Sequence, residues 1–102
     1  MQPFIDAKRE EIAELCRKHH VRRLSVFGSA VREDFDPATS DVDVIVEFED
    51  LPVGQYSDKK WALHDELAAE FKRDVDLLTW KSLRNPVILR EVEMTAKTLY
   101  AA

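Results

Sequence analysis

Asp41-Val42-Asp43-Val44-Ile45-Val46-Glu47-Phe48 decides how this chain folds. Polar and β-branched residues alternate at its start, the pattern of a strand with one buried face. Residues two apart in a strand project to the same side, so Val42 and Val44 point into a core while Asp41 and Asp43 stand together on the opposite face. Two carboxylates about 4 Å apart repel by roughly 4 kcal/mol at an effective dielectric near 20, and stability alone would favour Thr or Lys at one position. A divalent cation between them turns that repulsion into attraction. Oxygen donors without a His or Cys cluster suit Mg²⁺, with Mn²⁺ as the alternative, and disfavour zinc.

Upstream, Leu24 to Phe27 are strand formers, and Gly28-Ser29 breaks the run. Glycine lets backbone approach an oxygen-rich ligand, serine adds a hydroxyl, and amides opening the next turn favour a polyphosphate. The dipeptide gains weight from its frame: Phe27-Gly28-Ser29, eleven residues, then the aspartate pair. Ala30 to Arg32 reads as a helical turn that carries Arg32 one turn past Ser29, toward the same polyphosphate, with Glu33 and Asp36 as alternative surface partners. Glu33 to Ser40 has loop chemistry. Further back, Phe4 to His19 reads as one amphipathic helix with Phe4, Ile5, Ile12, Leu15 and Cys16 on its apolar stripe. The cations Arg17-Lys18-His19-His20 fall where the negative end of the helix dipole favours them, which also accounts for most of the basic run through Arg23.

Downstream, Leu51-Pro52-Val53-Gly54 is a turn, and Ser57 is the expected cap of a helix in which Leu63, Leu67 and Phe71 recur every four residues. Asp74-Val75-Asp76-Leu77-Leu78 is the next strand. Asp76 lies in an apolar frame and reaches the same metal if the strands pair; Asp74 is also available, register decides between them, and Asp76 is preferred. Asn85-Pro86 supplies a cap and a first-turn proline for a last helix expected to run to about Leu99, with Leu89, Val92, Ala96 and Leu99 on its buried side. This order predicts an α/β fold, a small mixed sheet covered by helices, because Ser29 to Ser40 is short for a crossover helix.

With 102 residues, the expectation is a single domain over 1–102. A hydrophobic fraction of 45%, a charged fraction of 34%, and only two Gly and four Pro exclude disordered and low-complexity classes. Twenty acidic against fifteen basic residues give a net charge of -5, so no broad grip on nucleic acid is expected. Cys16 has no partner for an internal disulfide and reads as a small buried apolar group. No run has the apolar length of a membrane span, and Met1 to Asp6 lacks a secretory pattern, so a cytoplasmic location is expected. His19 and His20 are adjacent, a poor geometry for one metal, and His64 is expected at the surface. Trp61, Trp80 and Tyr56 fit either core or interface.

Val26-Phe27-Gly28-Ser29-Ala30-Val31-Arg32 with Ser40-Asp41-Val42-Asp43-Val44-Ile45-Val46 resembles the signature of the DNA polymerase beta nucleotidyltransferase superfamily, and the small size resembles its minimal nucleotidyltransferase (MNT) branch. Asp74 to Thr79 resembles the branch's third-carboxylate strand, and Ile88 to Tyr100 its closing helix. The resemblance implies a palm-like sheet with a two-metal site that transfers a nucleoside monophosphate from a nucleoside triphosphate. Asp41 and Asp43 would bridge both ions, Asp76 would complete the metal on the attacking side, and Gly28 and Ser29 would hold the β and γ phosphates. For MNT proteins of this size it implies an antitoxin paired with a HEPN-domain ribonuclease toxin, moving AMP from ATP to a toxin tyrosine. Two other readings are neutralisation by binding alone and transfer to a small molecule such as an antibiotic. The residues offer no obvious acceptor pocket, so a protein partner in a hetero-oligomer would supply the missing wall.

Overall fold

Four strands make one sheet in the computed structural model, which describes residues 2–32, 36, 41–52 and 54–102. They are β1 (Val21–Phe27), β2 (Val42–Phe48), β3 (Val75–Thr79) and β4 (Lys97–Ala101), in the order β3-β2-β1-β4. The helices are α1 (Pro3–Asp6), α2 (Arg9–Lys18), α3 (Gln55–Phe71) and α4 (Pro86–Thr95), and a 3₁₀ turn spans Gly28–Ala30. β1 runs antiparallel to β2 and β4, whereas β2 and β3 are parallel, so the sheet is mixed as expected. Parallel neighbours need a crossover, and α3 provides it.

The alternation in β2 sorts the two faces. Val42, Val44 and Val46 join Ile5, Ile12, Cys16, Leu63, Leu67 and Phe71 in the main core, beneath α1, α2 and α3. On the other face Ile45 packs with Phe27 and Val92, so α4, with Leu83 beside it, covers that side among the described residues. Cys16 is fully buried, and loss of solvent pushes its thiol up to about 12, in keeping with an apolar role.

Several expected boundaries move. The single N-terminal helix is two, because Asp6 to Glu11 holds no apolar residue larger than Ala7 and no core contact carries a straight helix through it. The Lys8 amide donates to the Ile5 carbonyl (3.1 Å) in a tight turn, and Ile5 and Ile12 still reach one core. α3 is capped by Gly54 in the left-handed region (φ 93°), not by Ser57, which lies inside the first turn. α4 starts as expected, the Asn85 side chain accepting from the Val87 amide at 2.9 Å, but it stops at Thr95 instead of Leu99. Ala96 turns extended and Lys97–Ala101 pairs with β1. Thr98, Leu99 and Tyr100 suit a strand, and the outer edge of β1 would otherwise leave its amides and carbonyls without partners. Leu99 is buried as predicted, from a strand. The loop reading at Glu33 to Phe35 and Pro37 to Ser40 lies outside the described residues.

His64 departs from its expected surface role. It is half-buried, and its Nε2 donates to the Val75 carbonyl (3.0 Å), tying α3 to β3. Lys18 and buried His19 both reach Glu66 of α3, Lys18 at 2.6 Å, so the basic end of α2 is a clasp between helices. Trp61 and Trp80 are exposed, which excludes the core reading for both.

Candidate active site

Strand register assembles the site. Phe27 on β1 lies opposite Asp43 on β2, and Asp43 pairs with Asp76 on β3. Asp76 is thereby chosen over Asp74, whose carbonyl instead accepts the Val42 amide at 3.1 Å. Gly28 directly follows Phe27, so the turn opens against Asp43. Two constraints demand glycine there: its φ is +69°, and a Cβ would sit 3.0 Å from Asp43 Oδ2. Val31 and Arg32 amides close the turn onto the Gly28 carbonyl at 3.0 and 3.3 Å.

A cavity of about 270 Å³ joins these pieces, with Gly28, Ser29, Arg32, Asp43 and Asp76 on one side and Val87, Ile88 and Glu91 of α4 on the other. A larger groove, about 700 Å³, lies at the opposite end of β2 and β3 among Phe48, Tyr56, Lys60, Trp80 and Lys81. It holds neither the aspartate pair nor the Gly28 turn, so the smaller cavity is the candidate site.

Burial raises the Asp43 carboxyl to about 6; the charges of Asp76 and then Asp41 add to the rise, and Arg32 opposes it. Asp41 precedes β2, is exposed, and does not line the cavity; it acts on Asp43 through its field. The structure thus brings Asp43 and Asp76 together and leaves Asp41 at the rim. Among the described residues no three His, Cys, Asp or Glu side chains sit closely enough to cage a metal. Mg²⁺ does not need such a cage, since one or two carboxylates plus waters and substrate phosphates usually complete its shell. An all-oxygen pair in which burial, and then mutual repulsion, disfavours the Asp43 charge fits a hard divalent cation arriving with a polyphosphate.

Two residues escaped the sequence reading. Glu91 forms an ion pair with Arg32, and Thr95 Oγ1 accepts the Gly28 amide at 2.9 Å. Their signal was faint: Glu91 and Thr95 are four apart, beside Ile88 and Val92, which makes them polar residues on the sheet-facing side of α4.

Residues 9–98 match the nucleotidyltransferase domain family. The Methanocaldococcus jannaschii protein named "Putative protein adenylyltransferase MJ1379" is 32% identical over an alignment of 91 positions that covers 81% of this chain and 89% of that protein. A second from the same organism, "Putative protein adenylyltransferase MJ0435", is 34% identical over 79 residues, 78% and 81% of the two chains. Among solved structures, one described as a "putative minimal nucleotidyltransferase" superposes with a TM-score of 0.66 at 30% identity, covering 90% of this chain and 89% of its own. A chain of a toxin-antitoxin structure with AMP-PNP gives 0.66 at 25% identity, covering 92% and 73%. A chain of the tri-AMPylated Shewanella oneidensis HEPN toxin in complex with MNT antitoxin gives 0.64 at 23%, covering 96% and 73%, a likeness of fold. The mixed four-stranded sheet is thus the one that minimal nucleotidyltransferase structures share, and this chain belongs to the nucleotidyltransferase domain family.

Proposed function

We propose that the chain, acting as a single domain, is a Mg²⁺-dependent adenylyltransferase that moves AMP from ATP to a tyrosine hydroxyl of a HEPN-domain toxin and thereby serves as its antitoxin. The observation that carries this reading is the parallel pairing of Asp43 with Asp76 beside the Gly28 turn. The names of the relatives support adenylyl transfer to protein, and the structural neighbours that hold a HEPN toxin support the partner.

Asp43 and Asp76 would hold the cation, with Asp41 strengthening the field at the rim; when bound, the ion supplies charge neutralisation for the triphosphate and its leaving pyrophosphate. The chain's own residues do the rest. Ser29, at the mouth of the turn, offers a hydroxyl to the β and γ phosphates, and Gly28 supplies the room beside Asp43. Arg32 places a guanidinium on the same wall. The acceptor oxygen attacks the α-phosphorus as the bond to pyrophosphate breaks, and exposed Asp76, on the edge strand, is positioned to take the hydroxyl proton. The cavity is small and open, so an acceptor of any size must bring its own wall, which favours a protein over an antibiotic-sized substrate. No helix among the described residues is long and apolar enough to cross a membrane; a cytoplasmic site of action is part of the proposal.

The test is incubation of the chain with labelled ATP, Mg²⁺ and the toxin encoded beside it. Label on the toxin that disappears with an Asp43→Asn, Asp76→Asn double variant is expected. A double variant that labels equally well rejects the site, and one that no longer labels yet still protects cells points to neutralisation by binding.

A further inference from the structure

The Gly28 amide opens the phosphate-side turn, yet it is already engaged, donating to Thr95 Oγ1 at 2.9 Å. Thr95 in turn donates its hydroxyl proton to the Glu91 carbonyl one helical turn back, at 2.6 Å. A hydroxyl has a single proton, so only a lone pair faces Gly28 and the direction of both bonds is fixed. The acceptor is rigid as well. A β-branched side chain bonded to its own helix has little χ1 freedom, and α4 is seated by Val92 and Ile88 against Phe27 and Ile45. The other side of the turn has no slack, because a single added carbon at Gly28 would already crowd Asp43 Oδ2.

We propose that Thr95 is the positioning residue of the nucleotide site: it pins Gly28 against Asp43 and aims Ser29 into the cavity, leaving phosphate contacts to Ser29 and not to the Gly28 amide. Through Glu91 the same helix also restrains Arg32, so α4 braces both phosphate-side elements. This inference rests on the nucleotidyl-transfer reading but is measurable apart from it.

The chain has two glycines, so selective ¹⁵N-glycine labelling yields two amide signals, with Gly54 as the internal reference. In the wild-type protein the Gly28 amide should exchange slowly with solvent. Thr95→Val, which keeps the volume and removes the hydroxyl, should speed that exchange by about tenfold with Gly54 unaffected, and Thr95→Ser should restore it. In transfer assays Thr95→Val should raise KM for ATP about tenfold with a smaller change in kcat, and Thr95→Ser should fall within about twofold of wild type. A fast-exchanging wild-type Gly28 amide overturns the proposal without any variant, and so does an unchanged KM for ATP in Thr95→Val. A wild-type protein that transfers no nucleotide would sink the enzymatic reading, while the exchange experiment would still decide whether Thr95 holds the turn.

Discussion

Asp43 keeps its proton to about pH 6, against an ordinary aspartate value of 3.8, because burial and the neighbouring carboxylates Asp76 and Asp41 disfavour its charge. Between those two values the folded protein holds a proton that the unfolded chain releases, so stability falls as pH rises through that window and stays lower above it. Asp43→Asn removes the penalty. Without metal it should melt higher than wild type above pH 6, the advantage shrinking toward pH 4, as thermal scans across pH would reveal. On the proposed reading, a bound cation would invert the relation. Mg²⁺ needs the carboxylate, so its binding in the presence of ATP should tighten as pH climbs through about 6, measurable by calorimetry. Asp43→Asn and Asp76→Asn should each lower kcat/KM by about 10³ or more, since each removes stabilisation of charge that develops only during transfer.

Among the elements, the α2–α3 clasp gives a test independent of catalysis. Hydrogen bonds from Lys18, then His19, hold the Glu66 carboxyl below its ordinary 4.5, so its contribution is present above that value and is lost as pH falls through the lowered one. Glu66→Gln should cost about 0.5 to 1 kcal/mol at neutral pH, after allowing for solvent screening, and nothing in acid, where both side chains are neutral. The elements also mark how far the sequence could be read. Strand alternation placed Asp43, and the Gly28-Ser29 frame placed the turn, because both are local. Asp76 needed register, which its apolar flanks suggested. The end of α4 misled, since Leu89, Val92, Ala96 and Leu99 fit a helical stripe while Thr98 to Tyr100 fit a strand, and only the outer edge of β1 decides. Thr95 and Gly28, 67 positions apart, meet only once α4 lies on β1, so no local pattern announced their bond.

For the whole molecule, β4 is as necessary as it was hidden. Removing Lys97 to Ala102 strips β1 of a partner strand and takes Leu99 from the core, so the shortened chain should lose its cooperative melting transition and aggregate through the bared strand, as light scattering would register. The parallel join of β2 to β3 sets a different condition. Asp43 and Asp76 lie on opposite sides of α3 in the chain, and nothing brings them together until that crossover has closed. A ribosome that has released only as far as Phe48 has made one acid without its mate. Chemical competence should therefore arrive late in synthesis and in a single step, so that, on the proposed activity, half-made chains would not squander nucleotide.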